Sequence, residues 1–178
     1  MTAVVTETTT AIGSFEEAET VYRLGLAGTF GGLNGWTFLG DGVYRNAWLA
    51  PSGTVYKVPH TNTPFSGYED FGWQSNRAEY ENACLYSDRD WCPPVNIYNV
   101  NGDPVIAMPY YEPYYEAADR NLSAEGKAAL REAAELIGDM HHENFSVVEG
   151  RPIVIDVAGV RWATKCRSGS SCSCASCN

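Results

Sequence analysis

The sequence predicts an α+β fold. A short N-terminal helix is followed by five antiparallel strands with one helix, and then by another helix, a tight loop and a β-hairpin. Two observations lead to this class. Short alternating apolar runs are separated by the turn dipeptides Ser52-Gly53, Asn101-Gly102 and Glu149-Gly150. Two longer stretches, residues 72–87 and 123–137, instead repeat apolar residues at helical spacing.

The first predicted element is the short N-terminal helix. Ser14-Phe15-Glu16-Glu17 has the form of a capping box, in which a serine and a glutamate three residues later satisfy backbone N–H groups at a helix start. We expect the helix to run to about Leu26, within a helix-and-linker segment, residues 14–35. Residues 1–13 are rich in threonine and have neither the basic start nor the apolar core of a signal peptide, so we expect a disordered N-terminus.

A glycine turn, Gly40-Asp41-Gly42, lies between the next two strands, residues 36–39 and 43–49. Without a Cβ, Gly40 and Gly42 let backbone N–H groups approach an anion such as a phosphate. Lys57 follows one hairpin later, among the β-formers of residues 54–58, and can reach the same anion as a point charge. An ordinary hairpin is the alternative interpretation of the two glycines.

The central helix, residues 72–87, is predicted to bury one apolar stripe. Glu79 and Glu81 flank that stripe on opposite sides, each about 100° from its centre at 3.6 residues per turn. Periodicity does not choose between them as a partner for the strand lysine, and two solvated glutamates are the alternative interpretation. The predicted stripe consists of Trp73, Tyr80 and Cys84.

Two further strands, residues 94–100 and 104–108, complete the predicted sheet, and the proline- and tyrosine-rich residues 109–115 end the second of them. Ser123 is expected to cap a helix that runs to Ile137. The predicted buried side of that helix consists of Leu130, Ala133, Ala134 and Ile137.

Three polar residues stand out beyond this helix. Asp139 and Asn144 are five residues apart in a tight loop, and Asp156 ends an apolar β-branched run twelve residues later. Because Asn144 and Asp156 lie at the two ends of a predicted hairpin, residues 145–148 and 152–156, we expect them to converge. An amide and a carboxylate oxygen are hard ligands suited to Mg²⁺. Turn formation or capping is the alternative role for each residue taken singly.

The order and spacing of these residues resemble the protein-kinase-like phosphotransferases. The segment from Asp139 to Asn144 has the Asp-x-His-x-x-Asn form of aminoglycoside phosphotransferases, other small-molecule kinases and phage-encoded kinase-like proteins. Asp156 matches the later metal-binding aspartate, and Lys57 after the glycine turn matches the strand lysine. The run Asn76-Arg77-Ala78-Glu79-Tyr80 is similar to the helix of the phage-type proteins and favours Glu79 as the partner of that lysine.

This resemblance implies a phosphotransferase that uses ATP and Mg²⁺ and acts on a hydroxyl of an unidentified acceptor. A kinase-like module that binds a nucleotide or a partner protein without turnover is the alternative. The implied adenine site lies where the chain leaves the strand ending at Met108 and crosses to the second lobe. The implied catalytic residues are Asp139, Lys57 and Glu79, the nucleotide-binding residues are Gly40, Gly42, Lys57 and Met108, and the metal ligands are Asn144 and Asp156.

The chain departs from the family pattern in two short motifs. The third glycine of Gly-x-Gly-x-x-Gly is missing, and Arg45 and Asn46 occupy its region. Ile137 replaces the histidine that usually precedes the catalytic aspartate by two residues, and we expect His141 to take over its backbone-organising role.

A third departure is length, because 22 residues follow Asp156 and most of them form a Ser/Cys-rich tail, residues 163–178. They leave no room for the platform that binds peptide substrates in full protein kinases. The resemblance therefore implies a truncated kinase-like fold, with an N-lobe over residues 36–111 and a minimal C-lobe over residues 112–162. An oligomer that completes the short lobe is one arrangement consistent with this deficit.

Composition narrows the expected partners. The chain has 22 acidic and 12 basic residues, a net charge of −10, and no cluster of Lys and Arg, which argues against nucleic acid or an anionic membrane as a partner. A negative protein that binds a nucleotide needs local cations, which a lysine and Mg²⁺ provide. No apolar run approaches membrane-spanning length, so we expect a cytoplasmic protein.

The six cysteines form two groups. Cys84 and Cys92 lie within the domain, and we expect them to be buried thiols. The other four lie in the Ser/Cys-rich tail, for which a zinc site and a flexible segment are both open, although the Cys-x-Cys spacing does not match common zinc knuckles. These four are Cys166, Cys172, Cys174 and Cys177.

Overall fold

A computed structural model of the chain describes residues 11–26, 35–42, 44–60, 71–113, 122–138, 140 and 143–159. Within these residues the chain forms three helices and seven strands. The helices are α1 (Phe15–Leu26), α2 (Phe71–Leu85) and α3 (Ala124–Ile137). The strands are β1 (Thr37–Asp41), β2 (Arg45–Leu49), β3 (Thr54–Pro59), β4 (Asn96–Val100), β5 (Asp103–Pro109), β6 (Phe145–Val148) and β7 (Arg151–Val154).

Five strands form one antiparallel sheet in the order β1-β2-β3-β5-β4, so the predicted α+β class with a five-stranded antiparallel sheet is confirmed. Its β4–β5 hairpin turns at Asn101 and Gly102, whose φ angles are 55° and 97°. Both values lie in the left-handed region that an Asn-Gly hairpin turn requires. Ala47, Lys57 and Ile106 are neighbours across β2, β3 and β5, which places the predicted lysine at the middle of the sheet.

One face of the sheet packs against α1. Tyr56 ties the two together, because its hydroxyl accepts a hydrogen bond from Ser14 N at 2.9 Å and donates one to Glu17 Oε2 at 2.6 Å. Ser14 Oγ also accepts from Glu17 N at 3.1 Å, which confirms the predicted helix start. The Glu17 carboxylate, however, bonds to the sheet instead of reaching back to the serine N–H as a capping box would have it. This core contains Ala18, Val21, Tyr22, Trp36, Trp48, Ala50, Tyr56, Val58, Val100, Val105 and Ala107.

Helix α2 packs against the opposite face of the sheet, but the predicted apolar stripe is wrong. Trp73 is 36% exposed and Cys84 is exposed, while Tyr80 is half-buried. After Phe71 at its start, the buried side is instead formed by small and polar residues, which let the helix lie close to the sheet and bond to it. Gly72 is one of them, since a methyl at its Cα would overlap the Tyr44 carbonyl oxygen. The buried residues are Phe71, Gly72, Ser75, Asn76, Glu79 and Ala83.

The two cysteines in the described part of the chain also differ from expectation. Cys84 is exposed on α2, so its prediction as a buried thiol is wrong. Cys92 is partly buried, and this burial raises the pKa of its thiol to about 11. The four cysteines of the tail lie outside the described residues, as do residues 1–10.

Helix α3 and the β6–β7 hairpin build a second core. Ser123 caps the helix by accepting from Gly126 N at 2.9 Å, and the helix ends at Gly138, whose φ is 86°. Both ends therefore agree with the prediction, and Ala133 and Ile137 are buried as expected, while Leu130 and Ala134 are half-buried. This core contains Ala83, Trp91, Ala133, Ile137, Val154 and Val157.

The hairpin itself turns at Glu149 and Gly150, with φ angles of 51° and 78°. Strand β7 ends at Val154, two residues before the predicted end, so Asp156 lies in the segment that follows the strand. None of the helices in the described ranges has the length and apolar character needed to cross a membrane.

Candidate functional site

A cavity of about 510 Å³ lies between the α2 side of the sheet and the chain around the β6–β7 hairpin. Most of the predicted site residues meet here. Glu79 lies behind the cavity wall, and Asp139 falls outside the described residues, as do His141 and His142. The predicted residues that line the cavity are Gly40, Gly42, Lys57, Met108, Asn144 and Asp156.

Strand alternation directs Lys57 into the cavity. Successive side chains of β3 point to opposite faces of the sheet. Tyr56 therefore packs toward α1, while Val55 and Lys57 line the cavity. The Lys57 ammonium donates to Glu79 Oε1 at 2.6 Å and to the Ile155 carbonyl oxygen at 2.6 Å. The lysine thus connects α2 with the segment after β7.

Glu79 and Glu81 have different surroundings, which periodicity alone did not distinguish. The Glu79 side chain is 0% exposed and faces the sheet. Glu81 is 65% exposed and pairs along the helix surface with Arg77 at 3.3 Å. The partner of Lys57 is therefore Glu79, the residue that the family resemblance favoured.

Arg45 belongs to the same network, although the sequence interpretation treated it only as a departure from the glycine motif. Its guanidinium bonds to Glu79 Oε2, to Asn76 Oδ1 at 3.1 Å and to Asp156 Oδ1 at 2.6 Å. Part of the signal lay in the sequence, because Arg45 precedes Ala47 by two residues in one predicted strand. The structure adds that Ala47 is opposite Lys57. Residues two apart on a strand share a face, so the arginine and the lysine point into one cavity.

The site contains two cations and two carboxylates in contact. Burial alone would lower the pKa of Arg45, but the charges of Asp156 and Glu79 outweigh it and raise that pKa above its ordinary value. Burial alone would likewise raise the pKa of Asp156. The charges of Arg45 and Lys57, with hydrogen bonds from Arg45 and Ala158 N, instead hold that pKa well below its usual range. Both shifts favour the charged forms, so the contact between Arg45 and Asp156 is an ion pair.

Asn144 and Asp156 converge as the hairpin prediction required. Ile155 N donates to the Asn144 carbonyl oxygen at 2.8 Å, so the segments before β6 and after β7 run side by side. The carboxylate and the amide line the same cavity. This pair of hard oxygen donors fits Mg²⁺. With the described residues, Asp156 makes both of its contacts through Oδ1, to Arg45 and to Ala158 N, which leaves Oδ2 as its other oxygen for a cation.

Gly40 and Asp41 belong to the end of β1, so the predicted glycine turn begins only at Gly42. His60, which follows β3, braces this end of β1. His60 Nε2 lies 3.0 Å from the Gly42 carbonyl oxygen and 2.9 Å from Asp41 Oδ1. Since both neighbours are acceptors, Nε2 carries the hydrogen. Gly42 N already donates to the Arg45 carbonyl oxygen at 2.9 Å, so that N–H is engaged within the turn. Gly40, in contrast, has open space where a Cβ would stand.

The end of β5 forms the remaining wall. Met108 is 2% exposed and lines the cavity, followed by residues 109–113. Tyr110 N is engaged, since it donates to the Gly53 carbonyl oxygen at 3.2 Å. Burial raises the pKa of Tyr111, whose ring lies in this wall. This wall carries the apolar Met108 and the aromatic Tyr111 together with the carboxylate of Glu112. An apolar and aromatic surface in the same cavity as charged groups suits a ligand with a flat ring and an anionic end.

No protein-family model matches this chain, and no curated protein matches it.

Proposed function

We propose that the chain is a truncated kinase-like phosphotransferase that binds ATP with Mg²⁺ and transfers a phosphoryl group to a hydroxyl of an acceptor. The observation that carries this proposal is the buried Lys57–Glu79 pair, which holds an ammonium in a cavity that Asn144 and Asp156 also line. An oriented cation beside two hard oxygen donors suits a metal–polyphosphate better than a neutral ligand.

Each residue has a role in the proposed reaction. Lys57 binds phosphate oxygens and is kept in position by Glu79. Asn144 and Asp156 would hold Mg²⁺, which neutralises phosphate charge when bound. Asp139 takes the proton of the acceptor hydroxyl. The hydroxyl oxygen forms a bond to the γ-phosphorus, and the bond between that phosphorus and the β–γ bridging oxygen breaks. The protein thus contributes positioning and charge neutralisation.

The adenine ring has a matching surface in this proposal. Met108 and Tyr111 give the cavity an apolar and an aromatic side chain, in the same cavity as Lys57 and Asp156. Gly40 leaves space for phosphate oxygens near the turn. The acceptor, a cytoplasmic location and the exclusion of nucleic acid and membrane as partners stay predictions from the sequence.

A second candidate function is a kinase-like module that binds a nucleotide or a partner protein without turnover. It is favoured by one specific observation, the ion pair between Arg45 and Asp156 at 2.6 Å. In this pair a guanidinium engages the carboxylate that the first candidate assigns to Mg²⁺. If that pair persists in the liganded protein, the guanidinium charge next to the carboxylate weakens metal binding at Asp156 and transfer fails.

Thermal unfolding with and without ATP, each with and without Mg²⁺, tests the proposal. A ligand of the native state raises the unfolding midpoint by mass action. We expect ATP with Mg²⁺ to raise it most, and Asp156→Ala to remove the part that depends on Mg²⁺. No shift at millimolar ATP under any condition would contradict both nucleotide functions.

Asp139→Asn then separates the two candidates. For a phosphotransferase we expect this variant to retain the ATP-induced midpoint shift and to lose ATP hydrolysis or transfer. For a binding module, wild type and Asp139→Asn show the same absence of turnover, and Lys57→Ala removes binding in both cases.

A further inference from the structure

Arg45 is buried at the centre of the charged network. Its side chain is 9% exposed and contacts carboxylates from two separate parts of the chain, Glu79 on α2 and Asp156 after β7. Asn76 is the third contact of the guanidinium, because its Oδ1 accepts from Arg45. Asn76 is itself held in place, since its amide nitrogen donates to the Lys57 and Pro104 carbonyl oxygens at 2.8 and 2.7 Å. The arginine side chain is therefore fixed in the interior by these contacts and is not an exposed surface charge.

This position affects any cation that binds Asp156. The carboxylate is 34% exposed, and its Oδ1 accepts from Arg45 Nη2 at 2.6 Å. A divalent ion on the same carboxylate would lie within a few ångströms of the guanidinium, where like charges repel strongly at reduced dielectric. A free metal ion at Asp156 would therefore compete with Arg45 for a carboxylate whose charge the guanidinium already balances.

A polyphosphate changes this balance. Guanidinium groups bind phosphate oxygens through paired N–H donors, and Arg45 and Lys57 line the same cavity. When the guanidinium turns to the phosphates, Glu79 keeps Lys57 as its partner at 2.6 Å and Asp156 becomes available. After this exchange of partners, Arg45 bonds to phosphate, Lys57 keeps Glu79, and Asp156 faces the cation.

We propose that Arg45 is a resident counter-ion that makes metal binding at Asp156 conditional on a polyphosphate. Phosphate draws the guanidinium away from the carboxylate, and a divalent cation then takes its place. This inference rests on the proposed nucleotide function and adds its order of assembly. By linkage, phosphate and metal each raise the affinity of the site for the other.

Binding of Mn²⁺ alone tests the first half of the proposal. Free Mn²⁺ is titrated against wild type, Arg45→Met and the double variant Arg45→Met/Asp156→Asn, and its solution signal is followed by electron paramagnetic resonance. We expect Arg45→Met to bind Mn²⁺ at least tenfold more tightly than wild type, and the double variant to lose that gain. Equal affinity in wild type and Arg45→Met would overturn the proposal.

A matched control separates this effect from a general loss of positive charge. Arg77 is an exposed arginine on α2 whose side chain is 57% exposed and pairs only along the helix surface in the described structure. Arg77→Met is expected to bind Mn²⁺ as wild type does, and a gain equal to that of Arg45→Met would also overturn the proposal. If circular dichroism shows that Arg45→Met does not fold, Arg45→Lys replaces it, because one ammonium has no fork with which to hold both carboxylates.

ATP in the presence of EDTA tests the second half. We expect ATP alone to raise the unfolding midpoint of wild type, by less than ATP with Mg²⁺, and Arg45→Met to lose that metal-independent rise. If ATP with Mg²⁺ binds wild type and Mn²⁺ affinity is independent of Arg45, the inference fails and the nucleotide function stands. If no form of the protein responds to ATP, the nucleotide function itself fails, and the inference fails with it.

Discussion

Lys57 Nζ lies 2.6 Å from Glu79 Oε1, and the Glu79 side chain has no exposed surface. A carboxylate that is removed from water persists only where cations and hydrogen-bond donors compensate its charge. Glu79 has two such cations, from β2 and β3, and these strands form one wall of the cavity. Helix α2 is thereby held against β2 and β3 by one buried carboxylate that contacts both cations.

Replacing Glu79 is expected to destabilise the fold strongly. Glu79→Ala leaves the buried cations Arg45 and Lys57 without a shared carboxylate, and breaking a buried pair in this way costs about 3–5 kcal/mol. Unfolding in urea, followed by circular dichroism, measures the change. The control is Glu81→Ala on the same helix, whose exposed side chain makes an effect below about 0.5 kcal/mol the expected result. Similar losses for both variants would contradict a special role for Glu79.

Lys57→Met is expected to weaken nucleotide binding at least tenfold, because it removes the cation that the proposed function assigns to the phosphates. The midpoint shift produced by ATP with Mg²⁺ is the readout, measured relative to the midpoint of each variant without ligand so that any loss of stability is separated from binding. Lys127→Met provides the control, since Lys127 is exposed on α3. An unchanged ATP shift in Lys57→Met would rule out this lysine as a phosphate ligand.

Gly126→Ala is expected to destabilise the protein, although alanine is the better helix former by about 1 kcal/mol. A methyl at Gly126 would overlap the Gly150 carbonyl oxygen, and that oxygen also accepts from Ser123 N at 2.9 Å. The helix and the hairpin would have to separate. Gly40→Ala, with open space at its Cβ position, is the control and is expected to leave the free energy of unfolding nearly unchanged. A stabilised Gly126→Ala variant would show that the two elements do not pack this closely.

Alkaline pH is expected to destabilise the contact between α1 and β5. Tyr22 donates to Asp103 Oδ2 at 2.5 Å, and burial, that hydrogen bond and the Asp103 charge raise the pKa of Tyr22 from 10.0 to about 12. The folded state therefore favours the protonated phenol. Its contribution to stability is complete below pH 10 and is lost as the pH rises from 10 to about 12.

Tyr22→Phe tests this pH dependence through urea midpoints at several pH values up to 12. The variant is expected to be less stable than wild type at neutral pH, by about 1 kcal/mol for the lost hydrogen bond, and to lose less stability than wild type above pH 10. Tyr110→Phe, at an exposed tyrosine, is expected to follow the wild-type profile. Parallel curves for wild type and Tyr22→Phe would contradict the assignment.

Local sequence signals predicted the elements well where the backbone geometry is decided by a few adjacent residues. The Asn101-Gly102 and Glu149-Gly150 turns, and the Ser123 cap of α3, all formed where expected. In each case a neighbouring side chain or a left-handed φ satisfies the backbone within about four residues. The relation of Asn144 to Asp156 followed as well, because a hairpin necessarily brings its two ends together.

The buried side of α2 was not predictable in the same way. Periodicity selected Trp73, Tyr80 and Cys84, since hydrophobicity usually identifies the buried side of a helix. The helix instead buries Gly72, Asn76 and Glu79 together with small residues. Polar groups can occupy a core when partners reach them from distant segments, and those partners are invisible in a window of the helix sequence alone.

The sequence by itself therefore determined the strands, turns and caps, and it identified six of the residues that line the cavity, although not Arg45. Only the tertiary structure decided that Glu79 faces inward, and that Arg45 occupies the space between Glu79 and Asp156. The physical reason is the separation along the sequence between residues that contact each other. Turns and caps depend on contacts within a few residues, whereas the charged network joins positions separated by 34 and 22 residues, and their pairing depends on how α2 and β7 pack against the sheet.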